Sequence, residues 1–277
     1  NVGFETRFFN RLSVNADFFV KHTKDMIYMR PLPPSDGEPA SQLVNDMDMK
    51  NTGIEFEISA DVIKTRNVNW NISLNGTHYK NAITKLPEDK PQEGYSTSNY
   101  WREVGGSIYD FYLKEWAGVN PDNGLPQFNK YDEETGEVTI VNKQADATYR
   151  KIGKSPIPTL YGGFSTSLSL YGFDLSATFA YQLGGYVLDS VYQGFMGSGD
   201  VTSNWHKDVF NRWTPENRYT DVPRVQDGET EASQTSTRFL TSSSYISLRN
   251  ATLGYTLPKS VLNKMKVQGL RVYLTGD

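Results

Sequence analysis

Cysteine is absent from the 277-residue sequence, which removes disulfide frameworks, thiolate metal sites and thiol nucleophiles together. Histidine is scarce: His22, His78 and His206 are too few for a His-rich metal site, and no metal or cofactor is expected. Positive charge is not in excess either. The 28 Lys and Arg residues against 32 Asp and Glu leave a net charge of −4. With a pI near 5.5, the chain lacks the basic footprint of a nucleic-acid binder. No apolar run approaches the ~18–20 residues of a membrane-spanning helix. The sequence opens on Asn1 with no signal-peptide pattern before it, so it is expected to be part of a longer chain.

Apolar residues make up only 37% of the chain and mean hydropathy is −0.56, values that a bulk reading assigns to a soluble protein. A transmembrane β-barrel escapes that reading, because lipid-facing and lumen-facing residues alternate along every strand and the average stays low. The 17 Tyr, 14 Phe and 5 Trp suit either a barrel or an aromatic-rich binding protein.

The dominant pattern has a period of two. Over 12–20, Leu12, Val14, Ala16, Phe18 and Val20 alternate with Ser13, Asn15, Asp17 and Phe19. Over 54–62, Ile54, Phe56, Ile58, Ala60 and Val62 enclose Glu55, Glu57, Ser59 and Asp61. Trp70, Ile72 and Leu74 alternate with Asn69, Asn71, Ser73 and Asn75, and Phe173 to Tyr181 repeats the pattern. Such runs set every second side chain on one side of a sheet. The only helical signal is a short turn near 258–264. About eight strands are expected, near 2–9, 12–24, 47–62, 68–80, 160–170, 173–187, 243–257 and 267–276.

The connections alternate too. Asn10-Arg11, 64–67 and Tyr171-Gly172 are short turns, whereas 25–46 (with Pro31, Pro33, Pro34 and Pro39), 81–159 and 184–242 are long and polar. If strands run strictly up and down, all short turns fall at one end and all long linkers at the other, the arrangement of outer-membrane barrels. Trp70, Phe173 and Tyr255 near the short-turn end and Tyr181 near the other fit two interfacial girdles. Two features break the pattern. Tyr161 and Tyr171 fall on the polar side with Ser165, Ser167 and Ser169. In 243–257 the apolar phase shifts from Ile246 and Leu248 to Ala251, Leu253 and Tyr255, as a β-bulge near Arg249-Asn250 would cause.

Catalytic constellations are weak. Glu55, Glu57 and Asp61 share one hydrated strand face, without the apolar pocket that raises one carboxyl of a glycosidase pair. Gly163-Phe164-Ser165-Thr166-Ser167 lacks the last Gly of a nucleophile elbow. Phosphate-binding Gly loops are missing, and Gly197-Ser198-Gly199-Asp200 reads as a loop. The acidic stretch 130–137 lacks calcium-loop spacing and reads as a hairpin with Gly136 in its turn. The loop aromatics Tyr100, Trp101, Trp116, Trp205 and Trp213 are the better functional candidates, because aromatic faces commonly line small-ligand pockets and can stack on sugar rings. Trp101, Trp116 and Trp205 are taken as candidate substrate contacts.

Several segments resemble the C-terminal part of the SusC/RagA family of TonB-dependent outer-membrane transporters. They are Asn51-Thr52-Gly53-Ile54-Glu55, Ile152-Gly153-Lys154-Ser155-Pro156 with Tyr161-Gly162-Gly163-Phe164, and Phe210-Asn211-Arg212-Trp213-Thr214-Pro215-Glu216-Asn217 with Pro223-Arg224. The longest runs from Ser244 to Pro258 and is followed by Leu270-Arg271-Val272-Tyr273. The resemblance implies a large plugged barrel in the bacterial outer membrane that imports glycans or, in some members, peptides. It also implies a SusD-like surface lipoprotein as lid, a TonB complex acting on the plug, and allows a homodimer of the full complex. Arg212, Trp213 and Pro215 match a family motif and are assigned to loop architecture.

The expectation is therefore an all-β chain, 1–277, forming part of an antiparallel transmembrane β-barrel in contact with outer-membrane lipid. Plug and N-terminal strands are absent, the loops 25–46, 81–159 and 184–242 are extracellular, and the function is transport without catalysis. Expressed alone, such a piece is expected to aggregate. Two other architectures remain open on these residues: a small closed eight-stranded porin or adhesin, and a soluble carbohydrate-binding β-sandwich.

Overall fold

Alternation becomes structure through the pleat, which sends successive side chains to opposite faces. The computed structural model describes residues 1–33, 35, 37, 41–197, 199 and 202–277. Pro34 and Pro39, and Ser198 and Asp200 of the Gly197–200 stretch, lie outside the described residues. Eight strands form the main sheet: β1 (Val2–Phe8), β2 (Leu12–Thr23), β3 (Asp48–Lys64), β4 (Val68–Lys85), β5 (Leu160–Leu170), β6 (Phe173–Leu183), β7 (Tyr245–Thr256) and β8 (Arg271–Gly276). They lie side by side in chain order, and every neighbouring pair is antiparallel.

All eight expected strands are present. Pairing in β4 continues to Lys85, so the long connection after it starts later than residue 81. β6 stops at Leu183 because Gly184 and Gly185 both take positive φ, 75° and 79°, and turn the chain into a separate strand, Tyr186–Leu188. The change of phase in β7 is a bulge. Asn250 pairs with Thr178 and Leu248 with Phe179, leaving Arg249 as the extra residue. Tyr171 occupies the β5–β6 hairpin turn with Gly172, at φ 48° and 95°, rather than the polar face. Two consecutive positive φ values match the twist of the strands they join. The connection from β7 to β8 carries helix α2, Lys259–Met265, where the helical signal fell. Helix α1, Ser190–Phe195, gave no such signal. It is six residues long and is capped by the Asp189 carboxylate, which accepts from the Tyr192 N–H at 2.8 Å.

Register makes one face continuously apolar. Phe18 opposes Ile54, Ala16 opposes Phe56 and Val14 opposes Ile58. Leu74 opposes Phe164, Phe164 opposes Phe179, and Leu175 opposes Leu253, which opposes Leu274. Among the described residues no layer covers this face: Phe4 is 61% exposed, Leu175 44% and Leu274 76%. Most buried apolar side chains sit elsewhere, at the far end of β4 and in the long connections, where Met47, Ile83 and Leu86 form one cluster and Met196, Val209 and Phe239 another. A sandwich would bury the sheet's apolar face against a second sheet, so this distribution excludes it. A large uncovered apolar surface is the mark of a face that meets another partner or a membrane. β1 and β8 stand at opposite ends of the sheet order.

Glycine lets large rings cross this sheet. A Cβ on Gly53 would stand 2.6 Å from the Phe19 ring and 2.7 Å from the Tyr79 Cβ, and one on Gly76 would stand 2.7 Å from the Phe56 ring. Both aromatics therefore lie flat over a strand that has no side chain at that point.

The long linkers are folded. Ile27–Pro31 pairs with Ser41–Asn45. Short strands 149–151, 110–114, 100–102 and 95–97 form a four-stranded sheet, and 116–119, 126–131 and 138–141 a three-stranded one. The acidic stretch is the expected hairpin. Gly136 takes φ 71°, and the Asp132 carboxylate accepts from the N–H groups of Glu134 at 3.0 Å and Thr135 at 2.8 Å.

Candidate functional site

The polar face carries the opposite set of residues. Asp17 opposes Glu55, Glu55 opposes Thr77, and Thr77 opposes Tyr161. One register step toward the long connections, Phe19 and Tyr79 flank Gly53; one step further, Lys21 opposes Asn51 and Asn51 opposes Asn81. Rim segments border these rows and form an open cavity of about 410 Å3, lined by Ile108, Tyr109 and Ile157 together with Phe19, Tyr79 and Tyr161. A second cavity of about 360 Å3 shares Glu55 and Thr77 with the first and continues along the face past Asp17, Glu57 and Asn75.

Asn81 fixes this border. Its Nδ2 donates to Asn51 Oδ1 at 2.8 Å, and its Oδ1 accepts from the Ile108 N–H at 2.9 Å. Just beyond, the Asp110 carboxylate accepts from the Ser107 N–H at 2.9 Å, and burial raises its pKa. Tyr79 and Tyr161 meet edge to face with ring centroids 6.4 Å apart, a favoured aromatic geometry. The result is an aromatic floor with hydrogen-bonding Asn, Thr and carboxylate groups around it, suited to holding a polar oligomer by stacking and hydrogen bonds.

A clasp locks the rim above. Asp46 accepts from Arg30 at 2.5 Å, from Lys85 at 3.0 Å and from the Glu88 N–H at 2.9 Å. These donors, the Glu88 N–H foremost, hold its carboxyl below the usual range against the opposing effect of burial.

The three sequence-derived tryptophans fall in three places. Trp101 lies in the four-stranded loop sheet, with its ring 4.9 Å from Tyr112, its Nε1 donating to Glu103 at 2.9 Å and the Lys151 ammonium 5.2 Å above it. Hydrogen bonds from Lys151 and then Trp101 hold the Glu103 carboxyl down. Trp116 packs edge to face on Phe128 at 5.3 Å, under the Arg238 guanidinium at 4.8 Å. Burial pulls the pKa of that guanidinium down to about 10. Trp205 lines a cavity of about 320 Å3 with His206, Phe210 and Arg212 and rests on the cluster that contains Phe239. The dipeptide Arg238-Phe239 thus couples Trp116 to the Trp205 unit, whereas Trp101 belongs to a separate group of rings. Tyr100 packs on Phe111 at 5.2 Å. Trp213 clamps the 120–124 turn through Nε1 to the Pro121 carbonyl at 3.0 Å and its ring against Gly124, an architectural role.

Sequence reasoning did not select Phe19, Tyr79, Tyr109 or Tyr161 as site residues. A signal existed: Phe19, Tyr79 and Tyr161 are aromatics on an otherwise polar face.

A family model described as the TonB dependent receptor-like β-barrel matches residues 1–277. The chain is 30% identical to TonB-dependent receptor P3 of Formosa agariphila over 98% of its own length and 28% of that protein. It is 27% identical to TonB-dependent receptor SusC of Bacteroides thetaiotaomicron over 99% of its length and 27% of that receptor. Among solved structures, the RagAB peptide importer in its closed-closed state superposes with a TM-score of 0.81 at 31% identity, over 99% of this chain and 30% of that one. The chain thus spans less than a third of the length of these relatives.

Proposed function

Because the chain belongs to the TonB-dependent receptor β-barrel family of the outer membrane, whose members are transporters rather than enzymes, we propose that it is a late barrel segment of an energised nutrient importer of the SusC/RagA type. The apolar face meets lipid and the polar face lines the lumen. The long connections, at about 25–46, 81–159 and 184–242, face the cell exterior. There they capture an oligomeric nutrient, a glycan oligosaccharide or a peptide, beneath a SusD-like lipoprotein lid. The nutrient then descends along the polar rows once TonB, acting on a plug carried by another part of the protein, opens the lumen.

The observation that carries this reading is the pair of adjoining cavities running from the aromatic rim down the polar face. A ligand held at Tyr79, Tyr109 and Tyr161 has Glu55 and Thr77 as its next contacts. Trp101, Trp116 and Trp205 are the proposed outer contacts, with Trp205 supported further by the cavity it lines.

The test is uptake of fluorescent oligosaccharides and of a fluorescent peptide mixture by a deletion strain carrying full-length variants. Tyr79→Ala with Tyr161→Ala, and separately Trp101→Ala, Trp116→Ala and Trp205→Ala, should each lower uptake of one substrate class by about tenfold, the scale of one or two lost stacking contacts, at unchanged outer-membrane abundance. Wild-type uptake by all of them would refute the assignment.

A further inference from the structure

Above the apolar band, the outward face of β2, β3 and β4 turns basic. Phe18 opposes Ile54 on this face, and the next outward row aligns Val20, Thr52 and Lys80. The row beyond aligns His22, Lys50 and Ala82. His22, Lys50 and Lys80 are all exposed. Lys50 and Lys80 are diagonal neighbours on adjacent strands, a relation that sets side chains roughly 7–8 Å apart.

Four of the described lysines have acidic partners: Lys64 has Asp61, Lys85 has Asp46, Lys90 has Asp89 and Lys151 has Glu103. Among the described residues, no ion pair within 4.0 Å involves Lys50 or Lys80. The sheet's acids lower on these strands, Asp17, Glu55 and Glu57, line the cavities on the other face. Above the patch, Asp48 is engaged by the Asp25 N–H at 2.8 Å. Lys80 and Lys50, without ion-pair partners among the described residues, stand one and two steps above the outward Phe18 and Ile54, at the level where strands leave hydrocarbon. Lysine suits that level, because its four-carbon stem lies along apolar surface while the ammonium reaches the headgroups.

We infer that Lys50 and Lys80, flanked by His22, form a docking site for the phosphorylated headgroup of an outer-leaflet glycolipid. Two ammonium groups at diagonal spacing can grip one phosphate between them, while the acyl chains lie down the apolar rows of Phe18, Ile54 and Leu74. The inference rests on the proposed orientation, with the long connections outside.

The experiment uses the full-length protein, purified in detergent and delipidated, with native mass spectrometry as readout. Bisphosphorylated lipid A, dephosphorylated lipid A and inorganic phosphate are the probes. Lys50→Gln with Lys80→Gln should lower retention of the phosphorylated lipid by about tenfold, on the scale of two surface cations meeting anionic lipid. Lys21→Gln, at the same height on the lumen face, should leave retention unchanged. Equal retention by wild type and the double variant overturns the site, as does equal retention of dephosphorylated lipid or displacement by millimolar phosphate. Orientation is checked separately by labelling Glu133→Cys, in an otherwise cysteine-free background, with a membrane-impermeant maleimide on intact cells. Labelling without lipid discrimination refutes the docking site alone, and absence of labelling refutes the orientation.

Discussion

The Tyr181 hydroxyl donates to the Asn75 main-chain carbonyl at 2.8 Å, reaching from β6 across β5 to β4. Gly162 opposes both Tyr181 and Gly76, so two strands without side chains at this level form the shelf on which the phenol lies. Its hydroxyl would stand 2.9 Å from a Cβ on Gly76. Gly76→Val should therefore overpack the shelf against Phe56 and Tyr181 at a cost of about 1–3 kcal/mol. Tyr181→Phe, losing one hydrogen bond and no volume, should cost only about 0.5–1.5 kcal/mol. Urea midpoints of the full-length protein in micelles measure both; equal stability of Gly76→Val and wild type would refute the shelf.

The rim clasp should respond to acid. Asp46 has a carboxyl pKa below its ordinary value of 3.8, so the folded state binds its proton less readily than the unfolded chain. Its stabilising contribution is complete above that ordinary value and is lost as pH falls through the lower folded value. Hydrogen exchange at 86–97 and 41–47 should accordingly stay slow to about pH 4 and rise below it. Asp46→Asn should show the faster exchange at neutral pH already. A variant with wild-type protection at pH 7 would mean that Arg30, Lys85 and Glu88 do not depend on this carboxylate.

The isolated 277-residue segment should not stay dispersed in water. Its apolar sheet face is uncovered, and β1 and β8 stand at the two ends of the sheet order, where an exposed edge is a template for intermolecular pairing. Light scattering after refolding without detergent should show growing aggregates. A stable monomer in detergent-free buffer would contradict the assignment of the apolar face to lipid.

The sheet was largely legible in the sequence because the alternation is nearly uninterrupted. Even the Arg249 bulge showed as a slip between Leu248 and Ala251, since a one-residue offset exchanges the two faces. The loop folds were not legible. Strands of three to six residues, such as Tyr100–Arg102 and Pro126–Tyr131, are too short to establish a period, and α1 depends on a single cap at Asp189. The cavity was half legible. Phe19 and Tyr161 broke the polar face visibly, but Tyr109 reaches it through tertiary hydrogen bonds that seat its segment on Ile83 and Asn81. Trp101, Trp116 and Trp205 drew attention by residue type, and type does not tell a ring packed among neighbours from one that lines an opening.

The placement of buried side chains in the connections, with the sheet's apolar face left bare, gives the chain two interiors in two different solvents. The loop clusters around Ile83 and Phe239 condense because water expels them, a drive that weakens on cooling. Sheet residues such as Phe4 and Leu274 gain nothing by leaving lipid for one another, so the barrel wall coheres through its hydrogen-bond ladder. Cold should consequently loosen the crown while leaving the wall intact, and a detergent that supports the wall says nothing about whether the crown is folded.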